Sequence, residues 1–568
     1  MDTDENKYRY LVLPQSSLCT LLRNLCTSSC VPRYATMRLH AWALAALVAS
    51  TNPTIDAWSP SRSSVRSTQL FMSTSEAPLP ELILYNSKSR SKEPLRTLEP
   101  SKVKMYTCGP TVYDSAHVGN FRAFLTYDVL KRTLVYFGYT VDHICNLTDV
   151  DDKILMRCER DSLSVEELTS QCTDAFMKDL QALNIVPARA YPRATQHIHD
   201  MVDMVQQLAA KDLAYQTPDG SWYFATGNDP KYGTQLVNLK VDEMESQERT
   251  SAQDDMGKRS GQDFCLWKAF KDGVDREDAT WDTSIGRGRP GWHLECSAMA
   301  RVFLGDTIDV HCGGIDLKFP HHENEIAQSE GASGKLFCEC WIHNGFVNID
   351  NEKMSKSKGN FLTLRAACPE PDEVRAYRYL VVSSQYRNPL NFTEKATKAA
   401  QNALQRIDRV REQLEAVSSK DATANSEIAT AVVPNEMKNF DAALLDDLSM
   451  PRAAASLFAL VKVAESEFKK GDNAMDIVGL QAINAALLQM DRVFGIFYRV
   501  PLSETEEKEQ AKALIVPVEV MDLVGQRTVA KDSQDWELAD SLRKRIAEMG
   551  FTVKDVKGGE PIVSRLKA

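Results

Sequence analysis

The residues of this chain whose chemistry is easiest to specify lie between positions 309 and 325, where the sequence reads DVHCGGIDLKFPHHENE. An apolar strand end and a glycine turn precede Pro320, a residue that suits the first turn of a helix. A helix that begins there places His321 and Glu325 four residues apart on one face. An imidazole and a carboxylate at that spacing can hold a metal ion from one side.

A tetrahedral metal site requires further ligands, and cysteine sulfur usually supplies them when the metal is zinc. Two upstream cysteines have suitable surroundings, Cys108 in MYTCGP and Cys296 in GWHLEC. Taken alone, a histidine pair on a helix is more often part of a polar surface or of a satisfied core, and a free cysteine is often only a small buried hydrophobe. The zinc hypothesis therefore depends on what the rest of the chain indicates.

The composition indicates a globular protein of several domains. Its 568 residues are too many for one hydrophobic core and predict three or four domains. The net charge of -11 excludes a general polyanion binder, so any contact with nucleic acid must depend on local basic patches and on shape. The 13 cysteines form no framework of short, even spacings, which favours a reducing compartment without a disulfide scaffold.

The first 75 residues differ in composition from the rest. Up to residue 72 the chain carries seven Lys and Arg against four Asp and Glu. Residues 41–49 are an apolar run suited to a signal sequence, and residues 56–67 are rich in serine and poor in acid, as transit peptides are. We therefore predict a disordered targeting presequence over residues 1–75, similar to the two-part plastid presequences of algae with complex plastids. Mitochondrial import and a plain disordered tail are the alternatives, and we expect a soluble organellar protein.

The elements that would position the chemistry begin with a strand over residues 103–108. Residues 120–136 carry apolar side chains at helical spacing, and residues 141–147 form the next strand. A strand, helix and strand of this length make a βαβ unit, which predicts a parallel sheet with its site at the strand ends. After residue 389 the pattern is wholly helical, with helices over residues 399–417, 437–470 and 474–498.

Two loops could bind phosphate groups. The motif HVGN, with His117, Gly119 and Asn120, opens the predicted helix, and exposed N–H donors at a helix N-terminus bind phosphate. The lysine loop, residues 353–360 with the sequence KMSKSKGN, contains Lys353 and Lys356, and mobile lysines can neutralise charge on a transferring phosphate. Each pattern is weak alone, and a basic loop is more often only exposed to solvent.

Together the two loops resemble the HIGH and KMSKS signatures of class I aminoacyl-tRNA synthetases, with Asn120 where the first signature usually ends in histidine. The resemblance narrows to the cysteinyl-tRNA synthetase family through MYTCGPTVYD, NLTDVDDK, GRPGWHLECSAM and residues 309–325. It covers the chain from about Leu82 onward.

The resemblance implies a role for each matching residue. The zinc ligands would be Cys108, Cys296, His321 and Glu325, and His322, on another helix face, would matter less for the metal. The ATP phosphates would be contacted by His117, Gly119, Asn120 and Lys356. The catalytic residues would be His117, Asn120, Lys353 and Lys356. The cysteine pocket would be lined by Cys108, Thr148, Trp292 and Asp316, with the last suited to the substrate ammonium.

The implied fold is α/β, with a Rossmann-like parallel-sheet catalytic domain that carries an inserted acceptor-end domain. A helical bundle and a small C-terminal anticodon-binding domain would follow. The predicted bounds are 76–150 for the first half of the catalytic domain, 151–259 for the connective insertion, 260–388 for the second half with the zinc site and the lysine loop, 389–500 for the bundle and 501–568 for the anticodon-binding domain.

The implied activity is the ATP-dependent activation of L-cysteine to cysteinyl-adenylate, followed by transfer to tRNA-Cys. The resemblance further implies one Zn²⁺ per subunit, ATP with Mg²⁺ as substrate, and a monomer or homodimer without a membrane. Two alternatives stay open. A related ligase that joins cysteine to an amino sugar in thiol biosynthesis would not need the helical C-terminal region. An inactive tRNA-binding or zinc-structural protein would have no use for both phosphate loops.

Overall fold

The computed structural model describes residues 79–237, 257–354, 360–420, 425–471, 474–498, 518–533, 535–554 and 562–565. The predicted presequence over residues 1–75 lies outside the described residues, and so does Lys356. The described residues belong to one compact unit, Pro78–Ala568. Within them, no helix has the length and the hydrophobicity that a membrane crossing requires.

The described strands are β1 (Ile83–Asn86), β2 (Ser91–Pro94), β3 (Lys102–Thr107), β4 (Thr140–Cys145), β5 (Ala214–Gln216), β6 (Trp222–Phe224), β7 (Phe264–Ala269), β8 (Gly288–Pro290), β9 (Ile308–Gly314), β10 (Cys338–Asn344), β11 (Val347–Ile349), β12 (Glu352–Lys353), β13 (Leu390–Phe392), β14 (Phe551–Lys554) and β15 (Ile562–Arg565). The described α-helices are α1 (Val118–Tyr136), α2 (Asp152–Asp161), α3 (Val165–Ala182), α4 (Ile198–Ala209), α5 (Trp292–Leu304), α6 (Glu323–Ser333), α7 (Leu364–Ala367), α8 (Pro371–Val382), α9 (Glu394–Val417), α10 (Val433–Leu445), α11 (Met450–Phe468), α12 (Ile477–Phe494), α13 (Val518–Asp532) and α14 (Trp536–Glu548).

A four-stranded parallel sheet in the order β10–β9–β3–β4 is the centre of the catalytic region. Strand β3, helix α1 and strand β4 form the predicted βαβ unit, which confirms the α/β class. Side chains of β3 enter two cores: Val103 and Met105 pack with residues of α1, whereas Tyr106 packs with residues of α5. Because the strands are parallel, their carboxyl ends meet at one edge of the sheet.

Helix α1 begins at the HVGN motif because two side chains cap it. His117 Nδ1 accepts a hydrogen bond from the backbone N–H of Asn120, and Asn120 Oδ1 accepts one from the backbone N–H of His117, both at 3.1 Å. This capping box satisfies two donors that a helix start would otherwise leave unpaired. Gly138 follows the helix with a φ of 96°, a left-handed conformation that glycine adopts without strain.

An antiparallel sheet in the order β5–β6–β7–β8 packs beside the parallel one. Strands β7 and β8 follow residue 259, the predicted end of the insertion, yet they belong to the same sheet as β5 and β6. Strands from both sides of that predicted bound therefore share one sheet, and the domain bounds stay predictions.

Helices α9 to α12 pack together after β13. The sequence predicts one helix over residues 437–470, whereas the structure has two, α10 and α11, with a turn between them. In that turn Asp447 and Leu448 have φ values of 56° and 48°, a left-handed backbone that a helix cannot continue through. Near the C-terminus, α14 is followed by Gly550, which has a φ of 83°, and then by β14.

Candidate metal centre and substrate site

The four predicted metal ligands lie together beyond the carboxyl end of β3. Cys108 follows β3 directly, and Cys296 lies in α5. Phe319 is extended (φ -144°, ψ 135°), and the helical backbone runs from Pro320 into α6, which places the last two ligands on one face. All four side chains are buried, and one ligand atom from each lies within 4.8 Å of the others.

The separations within this metal cluster, Cys108, Cys296, His321 and Glu325, match a tetrahedral site. Cys108 Sγ lies 4.0 Å from Cys296 Sγ and 3.7 Å from Glu325 Oε1, and His321 Nε2 lies 3.0 Å from the same oxygen. Zinc bonds measure about 2.3 Å to sulfur and about 2.0 Å to nitrogen or oxygen. In a tetrahedral site these bond lengths separate two sulfurs by about 3.8 Å, a sulfur and an oxygen by about 3.5 Å, and a nitrogen and an oxygen by about 3.3 Å. The donor set therefore fits zinc without large side-chain movements.

The charges of the metal cluster are set by contacts among its own groups. Burial opposes ionisation of Glu325, but His311 and His321 lower its pKa to about 2. A hydrogen bond from Cys108 lowers the pKa of Cys296 to about 6, whereas burial raises the pKa of Cys108 well above its usual value. Burial lowers the pKa of His321, but Glu325 and Cys296 outweigh it and raise that pKa to about 10. At neutral pH the cluster holds two anions and two protons that a dication would displace.

A second group of donor atoms, on Cys108, His311, His322 and Glu325, is equally compact. His322 Nε2 lies 3.3 Å from Cys108 Sγ, and His311 Nε2 lies 2.9 Å from Glu325 Oε2. The His322 ring fits because Gly313 has no side chain: a Cβ there would lie 2.3 Å from His322 Cε1. His322 therefore lies beside the metal cluster, and the expectation that it matters less for the metal than the four proposed ligands stays a prediction.

The predicted cysteine-pocket residues surround the metal cluster at the same edge of the sheet. The ring of Trp292, which is 37% exposed, stacks on His321 with their centroids 4.4 Å apart. Thr148 is buried, and its backbone N–H donates to the carbonyl of Pro110 at 3.1 Å, in the segment after Cys108. Asp316 is exposed on the turn that follows β9. An exposed carboxylate here suits a ligand ammonium.

The two phosphate loops approach each other at the start of α1. A Cβ at Gly119 would lie 2.7 Å from Cε of Met354, so the start of the lysine loop lies against HVGN. Phe361, which follows the lysine loop, packs edge-on against His117 with ring centroids 4.9 Å apart. Because His117 Nδ1 accepts a backbone hydrogen bond, Nε2 carries the hydrogen of the neutral ring and can donate to a phosphate oxygen.

The lysine loop itself is described only near its two ends. Lys353 ends β12, where it pairs with Asn348 of β11. Residues 355–359, and Lys356 among them, lie outside the described residues. The roles of both lysines stay predictions.

Comparisons with known proteins agree with this geometry. Residues 94–402 match the model of the catalytic domain of class I (C) tRNA synthetases. A cysteine–tRNA ligase from Chlamydia felis is 41% identical over 490 residues, which is 85% of this chain and 98% of the relative. One from Brachyspira hyodysenteriae is 36% identical over 480 residues, again 98% of the relative and 84% of this chain. The chain belongs to the cysteine–tRNA ligase family.

A more distant structure shows that this cysteine–tRNA ligase family member has a class I fold. Mycobacterium tuberculosis methionyl-tRNA synthetase in complex with methionyl-adenylate superposes with a TM-score of 0.52 at 14% identity, over 73% of this chain and 94% of that chain. This superposition confirms the fold inferred from the sequence motifs, and the family model and the relatives above confirm the family.

Three histidines beside the metal cluster received no role in the sequence analysis, although His293 and His311 lie inside the quoted motifs. His293 Nδ1 lies 2.9 Å from His321 Nδ1, and His343 Nε2 lies 2.8 Å from His322 Nδ1. His311 contacts Glu325, as described above. The signal that could have found two of them is their position: His311 and His343 lie near the carboxyl ends of adjacent parallel strands, β9 and β10.

Proposed function

We propose that this chain is a cysteine–tRNA ligase that activates L-cysteine with ATP and transfers the cysteinyl group to tRNA-Cys. The observation that carries the proposal is the buried metal cluster, whose ligand Cys108 directly follows β3, together with the capped start of α1, which is the next helix after that strand. This arrangement puts a site for a soft thiol next to a site for phosphate groups. The relatives named cysteine–tRNA ligase support the choice of cysteine.

The metal cluster would hold one zinc ion. We favour Cys108, Cys296, His321 and Glu325 over the group with His322 because they supply two sulfur donors. Cys296, with a pKa of about 6, is a thiolate at neutral pH and needs no deprotonation before it binds a metal. Zinc held here would favour the thiolate of cysteine over the hydroxyl of serine, since zinc is borderline-soft and the hydroxyl is far less acidic.

The residues around the metal cluster would orient the amino acid for reaction with ATP. Asp316 would pair with the substrate ammonium, and Thr148 and Trp292 would close the sides of the pocket. The substrate carboxylate would then point toward α1, where it attacks the α-phosphorus of ATP and forms cysteinyl-adenylate.

The start of α1 and the lysine loop would act on the phosphates. Backbone N–H groups of α1 and Nε2 of His117 would bind phosphate oxygens, and Gly119 allows the close approach. Lys353 and Lys356 would neutralise the charge that develops as pyrophosphate leaves, with Mg²⁺ bound to the ATP.

The C-terminal part of the chain would receive the anticodon end of the tRNA. In α14 the basic residues Arg543, Lys544 and Arg545 are exposed, while Leu542 and Ile546 are buried on the opposite side. A basic helix face suits the phosphate backbone of RNA. This region also argues against an amino-sugar ligase, which would need only the catalytic half.

Cysteine-dependent exchange of pyrophosphate into ATP, followed by charging of tRNA-Cys, tests the proposal. Zinc-loaded protein should exchange with cysteine and not with serine, and it should charge tRNA-Cys. Exchange without charging, together with acylation of an amino sugar, would favour the alternative ligase. No exchange at all would refute both.

We further propose that residues 37–72 direct import into an organelle, with the plastid favoured over the mitochondrion. The support is compositional: this stretch is basic, rich in serine and poor in acid. A reporter fused to it should enter the organelle, and Arg62→Glu with Arg66→Glu should keep the reporter outside. A uniformly cytosolic reporter would end this proposal.

A further inference from the structure

Residues 385–388, which we call the junction segment, connect α8 with β13 and are held from three sides. The first is α1, whose Arg122 is only 1% exposed. Arg122 Nη2 donates to the carbonyl oxygens of Tyr386 at 3.1 Å and Gln385 at 3.5 Å, and to that of Asn388. The helix that opens with HVGN is therefore fastened to the junction segment by one buried guanidinium.

The second contact comes from the strand that leads to the lysine loop. The backbone N–H of Gly345 donates to the carbonyl of Tyr386 at 2.9 Å, and that of Leu390 donates to Phe346 at 2.8 Å. A Cβ at Gly345 would lie 2.6 Å from the carbonyl oxygen of Asn388, so the two backbones touch. Gly345 joins β10 to β11, and β11 pairs with β12, which enters the lysine loop. The junction segment therefore holds the start of the β11–β12 hairpin through these backbone contacts.

The third contact comes from the helical bundle, through Asp447 in the turn between α10 and α11. Its buried carboxylate accepts hydrogen bonds from the Tyr386 hydroxyl at 2.7 Å, from the Tyr85 backbone N–H at 2.9 Å and from Arg387 Nε at 2.8 Å. The carbonyl of the same residue accepts from Gln385 Nε2 at 3.3 Å. Each of these bonds joins the bundle to the catalytic half of the chain.

The turn is shaped for this contact. A left-handed backbone at Asp447 interrupts what the sequence predicts as one helix, and the carboxylate at this break contacts Tyr85, Tyr386 and Arg387. Such a conformation costs free energy in a residue with a side chain, so something must repay it. A charge-assisted hydrogen bond from Arg387 Nε, an ion-pair contact with Arg387 Nη2 at 2.7 Å and a hydrogen bond from the Tyr386 hydroxyl are the contacts available to do so.

We infer that Asp447 is a positioning residue for the activation step: through the junction segment it fixes the β11–β12 hairpin, from which the chain continues into the lysine loop, relative to α1. This inference rests on the proposed function. Small displacements of charged groups near a reacting phosphate reduce the rate strongly, so a residue far from the substrate can control the chemistry in this way. The described hydrogen bonds of the proposed cysteine-pocket residues do not reach the junction segment, so cysteine binding should be insensitive to Asp447.

The principal variant is Asp447→Asn, which keeps the size of the side chain but replaces the oxygen that faces Arg387. We expect kcat for cysteine-dependent pyrophosphate exchange to fall about tenfold, with KM for cysteine unchanged. Tyr386→Phe removes one hydroxyl donor to Asp447 and should destabilise the fold less than Asp447→Asn does. It should reduce kcat about threefold, again with KM for cysteine unchanged. Rates are normalised to active sites, so a fraction of unfolded protein does not lower them.

The matched control is Glu465→Gln, which also turns a carboxylate that pairs with arginine into an amide. Glu465 pairs with Arg406 at 2.6 Å between α11 and α9, away from the junction segment. This variant should keep the kcat of the wild type. Equal losses in Asp447→Asn and Glu465→Gln would mean that any damage to the bundle slows activation, and would overturn the inference.

A double-mutant cycle with Lys356→Ala separates positioning from a general defect. If Asp447 acts through the position of the lysine loop, Asp447→Asn should reduce kcat by less than about twofold in a protein that already carries Lys356→Ala. If the two defects are independent, their fold-reductions in kcat should multiply instead. Multiplying effects would refute the inference while leaving the proposed function intact. A wild-type chain without cysteine-dependent exchange would refute the proposed function itself.

Discussion

The amino-acid side and the phosphate side of the site are built on different principles. The metal cluster consists of buried side chains whose charges are set by one another, as the opposite pKa shifts of Cys296 and His321 show. The proposed phosphate side would use backbone N–H groups at the start of α1 and the lysines of the lysine loop. Discrimination between similar amino acids requires donor atoms that are held in place and shielded from water. Phosphate chemistry requires hydrogen-bond donors and positive charges at the positions where negative charge develops in the transition state.

Removing one ligand from the metal cluster should have the largest effect. In Cys296→Ser we expect zinc content and cysteine activation to fall together by more than about a hundredfold, because changes that only reach outer residues already cost about 10- to 100-fold. Cys172→Ser, at a half-buried thiol outside the cluster, should change neither. Metal analysis beside pyrophosphate exchange checks this. A zinc-free variant that keeps the wild-type preference for cysteine over serine would contradict it.

The pH dependence of zinc binding should reveal the charge arrangement of the metal cluster. At pH 7 to 8 Cys296 is already ionised, while the raised pKa values keep Cys108 and His321 protonated. Zinc must displace both protons, so its affinity should rise with pH by up to about a hundredfold per unit. Competition with a chelator at pH 7 and pH 8 measures this. An affinity that does not change between these values would show that the cluster has another protonation pattern.

The phosphate side should respond in rate and not in amino-acid binding. We expect Lys356→Ala to slow adenylate formation about a hundredfold with little change in KM for cysteine, because its charge is needed where phosphate charge develops. Lys358→Ala, two residues further along the same loop, is the control and should slow adenylate formation much less. Single-turnover kinetics separate the two constants, and a parallel loss of cysteine binding would argue against the division into two sides.

The smallest of these effects concerns the outer histidines. His322→Ala removes a ring 3.3 Å from Cys108 Sγ without removing a proposed ligand, so zinc affinity should fall about tenfold. His199→Ala, at an exposed ring on α4, should leave zinc affinity unchanged. A loss in His322→Ala as large as in Cys296→Ser would show that the second donor group holds the metal instead.

The local parts of this site can be predicted from the sequence, because they depend on neighbours along the chain. The helical spacing of His321 and Glu325, the glycine turn before them and the βαβ unit all belong to this class. The position of His311 and His343 toward the ends of two strands is a signal in the sequence, but their contacts with the metal cluster depend on the register in which β9 pairs with β10, which the sequence alone does not determine. The break at Asp447 was also missed, because residues 437–470 keep helical periodicity through it and the compensating contacts come from far along the chain.

The capping box at the start of α1 gives the HVGN motif a second reason to persist. His117 and Asn120 hold the first turn of the helix in addition to the phosphate contacts proposed for them, and the loss of a cap destabilises a helix by about 1 kcal/mol. Position 120 must offer an acceptor to the backbone N–H of residue 117, which an asparagine oxygen or an imidazole nitrogen can do. A descendant of this chain that lost its catalytic activity would therefore remain under selection to keep the motif for folding. In newly sequenced genomes, the presence of this motif alone would not distinguish a catalytically active enzyme from a homologue that has lost its activity.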